Sequence, residues 1–197
     1  MLTFSSLRRL GLIGLSLFAA SAWAHVNADV THAHATFFSG VLHPLTGIDH
    51  LTAIVAVGIW SALALRQAWV APAVFVSAMG AGIGFGSLGF DHVAIEPMIA
   101  ASVLVMGVLV AARHALSVRS ALVLVSVFGF FHGAAHGIVL QGAVSVVPMA
   151  GMLLATLMLH MLGVVVGQRA FVQRVWLQRI SGGLFAALGV TLLSSLA

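Results

Sequence analysis

SALVLVSVFGFFHGAAHGIVLQ, residues 120–141, contains no Asp, Glu, Lys or Arg. It is longer than the roughly 20 apolar residues an α-helix needs to cross a bilayer. Comparable runs lie on either side of it, at 40–65, 69–89 and 95–112 and then at 145–167 and 180–196. The whole chain of 197 residues is 61% hydrophobic and 6% charged, with mean hydropathy +1.17. A soluble domain carries about 25% charged residues, so these few charges cannot cover a water-facing surface, and lipid must. The sequence therefore predicts an all-α, polytopic transmembrane helical bundle of about six spans, whose principal partner is the lipid bilayer. Pro44 falls inside the first run, so that span is expected to be broken or re-entrant. Short connections favour antiparallel neighbours. There is no Cys and no Lys, which removes disulfides and thiolate metal sites. The net charge of +4 comes from Arg and describes loop orientation rather than affinity for nucleic acid.

Before the first span, Arg8 and Arg9 precede the apolar run Leu10 to Ala20, and Ala22-Trp23-Ala24 supplies a small-x-small cleavage pattern. Residues 1–24 are thus expected to be a cleaved signal peptide. Residues 25–39 would form a periplasmic, His-containing tail beginning at His25, and 40–197 the six-helix transmembrane domain. Orientation follows from different residues. Arg66 lies between spans one and two, Arg113 and Arg119 between three and four, and Arg169, Arg174 and Arg179 between five and six. Positive charge stays in the cytoplasm. This places the protein in a bacterial inner membrane with both the mature N-terminus and the C-terminus periplasmic.

Ten His stand against four acidic residues, and imidazole is the commonest metal ligand. In this topology all four acids and most of the His fall towards the outer side. His25, His32 and His34 in the tail, with Asp91, His92 and Glu96 around the second outer loop, form a candidate outer capture set. His114 alone lies in a cytoplasmic loop. An ionisable residue at membrane depth costs about 2.5 to 3.5 kcal/mol on insertion scales, so it faces a partner or a cavity. His132 and His136 are one turn apart on one helix face, a spacing that lets two imidazoles meet one metal ion. Interhelical hydrogen bonding explains such a pair as well.

The segment His43-Pro44-Leu45-Thr46-Gly47-Ile48-Asp49-His50 is sharper. Pro44 removes a backbone donor, and Asp49 and His50 offer oxygen and nitrogen at the break. Imidazole with carboxylate suits nickel, cobalt or zinc, although an Asp–His pair can also cap a helix. His43, Asp49, His50, His132, His136 and, deeper, His160 are the candidate metal ligands. The glycines of spans two, four and five read as close helix packing. Those on span four share its helix with His132 and His136, which brings both imidazoles near a neighbouring helix.

His43 to His50, continued by LTAIVAVGIW to Trp60, resembles the signature of HupE/UreJ proteins. FHGAAHG, residues 131–137, resembles that family's second histidine motif, and Leu159-His160 with Gly163 its third. The resemblance spans nearly the whole chain. It implies a secondary permease taking up nickel, found with hydrogenase or urease gene clusters, with His43, Asp49 and His50 on the metal path and His132, His136 and His160 continuing it. More distantly the first motif resembles that of nickel–cobalt permeases, with a spacing one residue longer. The second motif departs from the family where Ala134 stands for another His, Val139 for an acid and Gln141 for a Pro.

The function expected is thus uptake of Ni2+, with Co2+ or Zn2+ as alternatives, without enzymatic activity. A homo-oligomer is compatible with this. Three other readings stay open, an intramembrane metalloenzyme, a haem-binding electron carrier with His on facing helices as axial ligands, and a non-transporting metal-binding sensor or accessory subunit for hydrogenase or urease maturation. The absence of an H-E-x-x-H glutamate from the second motif speaks against the metalloenzyme.

Overall fold

The computed structural model describes residues 36–113, 115–139 and 146–197. The signal peptide at 1–24, the tail residues His25, His32 and His34, and the positions His114 and Gln141 lie outside them. Every regular element among the described residues is helical. They are α1 (Phe37–Leu42), a 3-10 turn (His43–Leu45), α2 (Ile48–Ala64), α3 (Val70–Ser87), α4 (Ile95–Ala112), α5 (Val118–Val139), α6 (Val146–Val166), a π turn (Gly167–Phe171) and α7 (Val175–Ser194). Helices α3, α4, α5 and α7, and α6 extended through the π turn, are each long and apolar enough to cross a membrane. Helix α1 with its 3-10 turn and α2 are apolar enough together, and their bend of 82° makes them a broken span or a re-entrant loop.

The bend has a local cause. Thr36 and Ser39 cap α1 reciprocally. Pro44 then has no N–H to continue the ladder, and the chain tightens into a single 3-10 turn. Gly47 is extended, at φ −98° and ψ 119°, and α2 restarts from it. The structure thus bears out a first run that is broken or re-entrant. Span six begins at Val175, earlier than the expected 180, because Arg179 sits within the helix near its end, where a long side chain can reach outward. Span five runs on to Phe171 through the π turn rather than stopping at 167.

The closest helix pairs are not consecutive in sequence. On α5, a methyl group at Gly129, Gly133 or Gly137 would meet the backbone carbonyl of Phe75, Met79 or Ile83 on α3. In return, Gly82 and Gly86 of α3 abut the carbonyls of Phe130 and Ala134. Both sets of numbers rise together, so α3 and α5 run parallel, backbone against backbone. Helices α2 and α6 are parallel in the same way, with Gly163 against Val55 and Gly167 against Ile59. Helices α4 and α7 are antiparallel, Gly107 meeting Ala186 and Gly189 meeting Leu104. These registers are what a chain alternating direction through six passes requires. They also place Arg66, Arg113, Arg119, Arg169 and Arg174 at one end of the bundle, because each sits at a helix terminus that the registers bring to that end. The buried core between the helices includes Trp60, Phe75, Met79, Met106, Val110 and Phe171.

Candidate metal centre

The polar groups collect at the opposite end. Asp49 and His50 occupy the first turn of α2, where the helix dipole favours a carboxylate. Asp49 Oδ1 accepts from the His50 backbone N–H (2.8 Å) and from His50 Nδ1 (3.0 Å). A carboxylate that holds Nδ1–H of an imidazole fixes its tautomer and leaves Nε2 as the basic nitrogen, the usual support for a metal-binding His. The His50 ring lies 4.8 Å from that of His136 and 5.0 Å from that of His132, centroid to centroid. His43, on the exposed 3-10 turn, reaches the same group, with its Nε2 3.1 Å from His136 Nδ1. The sequence thus places four imidazoles and one carboxylate, from α2, α5 and the turn between α1 and α2, in one cluster.

On α5, His132 and His136 are buried. His132 Nδ1 lies 2.9 Å from the carbonyl of Phe128, one turn back. A carbonyl can only accept, so Nδ1 donates and the lone pair sits on Nε2. His160 repeats this on α6, where Nδ1 donates to Thr156 O at 2.8 Å. The Nε2 atoms of His132, His136 and His160 are all buried and have no hydrogen-bond partner. An unsatisfied buried polar atom costs about 1–3 kcal/mol. Three such atoms in one small bundle are lone pairs that water or a metal ion could take.

His160 is set apart from the other histidines. Gly163 stands opposite Gly58 of α2, so the His160 backbone is level with about Val55, roughly 8 Å along the helix from His50. His160 contacts the ring of Phe75 (4.8 Å), which also contacts His132 (5.3 Å). Sequence reasoning missed Phe75, since a Phe in an apolar span carries no signal of its own. Thr156 was also missed, although its spacing of four from His160 on one helix was a readable sign. Among the described residues, no three His, Asp or Glu side chains already surround a common point as metal ligands. Asp91 and Glu96 are exposed on the α3–α4 connection and the start of α4. His92 stacks on Phe90 and accepts from the Ala94 N–H. None of the three touches the cluster.

Ala134, where the family's second motif has another His, faces away from the cluster. Two residues on from His132, it is turned about 200° around the helix, and it packs against Ile95 and Ile99 of α4. An imidazole there would not face the cluster.

The family described as HupE / UreJ protein matches residues 13–192 of this chain. Protein HupE of Rhizobium leguminosarum bv. viciae is 35% identical over 185 residues, covering 91% of this chain and 94% of that protein. No solved structure matches. With its apolar helices and its three histidine motifs, the chain is a multi-pass membrane protein that belongs to the HupE/UreJ family.

Proposed function

We propose that the protein is a secondary uptake system for a divalent transition metal, nickel before cobalt or zinc, in the bacterial inner membrane. The observation that carries this reading is the set of buried, unpartnered Nε2 atoms on His132, His136 and His160, two of them with the lone pair fixed by an Nδ1–H bond to the helix backbone. Imidazole nitrogen beside one carboxylate is a donor set for a borderline divalent ion.

The Arg-bearing end is taken as cytoplasmic, so the cluster opens to the periplasm and both mature termini are periplasmic. The tail histidines, and Asp91, His92 and Glu96 of the second outer loop, capture ions arriving from the periplasm. Asp49 and His50 replace part of the hydration shell, with His43 at the mouth. His132 and His136 receive the ion, and His160 passes it inward. Asp49 bonds His50 and His43 bonds His136, and no finished chelate is formed among the described residues, which suits a site that must release its ion. An inside-negative potential favours inward movement of a cation by about 2.3 kcal/mol per charge per 100 mV.

The test is uptake of radioactive nickel by cells expressing the wild type, Asp49→Ala or His132→Ala. The wild type should exceed an empty-vector control. Each variant should fall on the order of 10- to 100-fold, the range seen when a group supporting a metal site is removed, with protein levels in the membrane unchanged. Wild-type uptake equal to the control would end the transport reading. Variants equal to the wild type would keep transport and discard the cluster.

A further inference from the structure

We infer that the Thr156 hydroxyl is a further part of the metal centre, brought by α6 to the depth of His50, where it holds a water molecule of the partly hydrated ion. This rests on the metal-uptake reading and adds to it a binding group outside the histidine motifs. The α2–α6 seam fixes the depth. A methyl at Gly163 would meet Val55 and Gly58, and one at Gly58 would meet His160 and Gly163, so the two glycines stand opposite each other. The helices are parallel. Seven residues towards the N-terminus of each, Thr156 therefore stands opposite Leu51, the neighbour of His50. Seven residues are also close to two full turns, so Thr156 leaves α6 in nearly the direction of Gly163, towards α2. His160 follows one turn later on the adjoining part of that face. Its ring touches that of Phe75 (4.8 Å), which touches that of His132 (5.3 Å). This face of α6 thus looks onto the same interior as the imidazoles of α2 and α5.

The state of the hydroxyl points to a guest. Thr156 is fully buried, and its Oγ1 has no hydrogen-bond partner. A helical Thr hydroxyl commonly bonds the carbonyl three or four residues back, and this one does not. For packing alone, valine has nearly the same shape and leaves no polar atom unpaired in an apolar span. A hydroxyl offers one proton and two lone pairs. Direct ligation falls to imidazole and carboxylate, the stronger donors for a borderline divalent ion. The waters that the ion keeps are polarised by its charge and donate strongly. A neutral oxygen at the depth of His50, on a helix that supplies no ligand there, accepts from such a water and holds the ion through it.

Thr156→Val removes the hydroxyl at nearly constant shape, and Thr156→Ser keeps it. In the purified, metal-free protein, thermal unfolding of Thr156→Val should have its midpoint at or above that of the wild type, because an unpaired buried oxygen is gone. Equilibrium dialysis against nickel should show its affinity lowered about tenfold, the low end of the range for a group that supports a metal site from outside the ligand shell. Nickel should accordingly raise its midpoint less than it raises the wild type's. Thr156→Ser should bind nickel within about twofold of the wild type. Earlier unfolding of the metal-free valine variant, or its failure to accumulate, would make the hydroxyl a structural group and overturn the inference. So would unchanged nickel affinity, or a loss in the serine variant as large as in the valine one. Uptake of radioactive nickel separates this from the transport reading. A wild type that binds nickel with help from Thr156 but takes none up would remove transport and leave the hydroxyl in the site. Uptake by the wild type, with binding indifferent to valine, would keep transport and discard Thr156. A wild type that neither binds nickel nor takes it up would end both.

Discussion

The α3–α5 seam and the α4–α7 seam are built by the same device and carry different contents. In both, glycines bring two helix backbones into contact, Gly82, Gly86, Gly129, Gly133 and Gly137 in the first and Gly107, Gly182 and Gly189 in the second. Along the second seam the buried polar groups are structural. Gln178 Nε2 donates to the Val110 carbonyl (2.8 Å), and Ser102 bonds back to Ile99. The far side of α7 presents Trp176, Ile180, Leu184 and Val190 to the surroundings. Along the first seam, residues one position from the glycines, His132 and His136, turn towards α2 and the Asp49–His50 pair. Close packing is therefore no sign of function in itself. It becomes one when the adjoining face of the same helix holds donors whose position the packing fixes.

The largest expected effect breaks that comparison at its centre. A methyl at Gly133 would run into the Met79 carbonyl, and one at Gly189 into the Leu104 backbone. Gly133→Ala and Gly189→Ala should each lose about 1–3 kcal/mol by overpacking, measured by thermal unfolding in detergent. Nickel uptake per folded molecule should separate them. A shift of α5 moves His132 and His136 relative to His50, so Gly133→Ala should lose about tenfold, as expected when a misplacement near 1 Å disturbs a positioned site. Gly189→Ala should stay within about twofold, since its seam holds no donor of the cluster. Equal losses of uptake would mean that transport depends on the bundle as a whole and not on where α5 stands.

Much of this was legible in the sequence, for physical reasons that also mark where legibility ends. Uncharged runs long enough for a bilayer have few alternatives to a helix, so the spans could be read directly. Pro44 before Gly47 announced the break, because a missing donor acts locally. His132 and His136 share a face by helical period alone. Which helices pair could not be read, since GxxxG spacing states that a partner exists and not which one. The structure matches α3 with α5 and α2 with α6, each pair one or more spans apart in sequence. Phe75 was invisible for the same reason. Its meaning comes from lying against both His132 and His160, which are on two other helices. A motif comparison marks Ala134 as a departure without saying which way the residue faces. Only the helix's orientation reveals that this position packs against α4.

A smaller effect tests the polar content of the second seam. Gln178→Leu removes a fully buried amide whose Oε1 has no partner. The Val110 carbonyl keeps a second donor, the Arg113 backbone N–H at 3.2 Å. Hydrogen bonds between membrane helices average about 0.6 kcal/mol in double-mutant cycles, and deleting the orphaned Oε1 offsets part of that. Stability should therefore fall by no more than about 0.6 kcal/mol, with nickel uptake unchanged. A loss of uptake would place Gln178 on the ion's route and make the second seam more than packing.

The smallest effect is expected at Gly183, and it has the opposite sign. This residue neighbours Gly182 on α7 but is exposed, and a methyl built on it meets nothing within 4 Å. Alanine there adds helix propensity without displacing a neighbour, so Gly183→Ala should stabilise the protein by roughly 0.5–1 kcal/mol. Thermal unfolding of the purified protein reads the change, and uptake should not move. The contrast with Gly182, whose methyl would strike the Ala111 backbone, is the finest test of the seam. Two adjacent glycines on one helix should respond in opposite directions because one faces α4 and the other does not. Destabilisation at Gly183 would show that a surface abuts it in the membrane, and that α7 packs on both sides as α5 does.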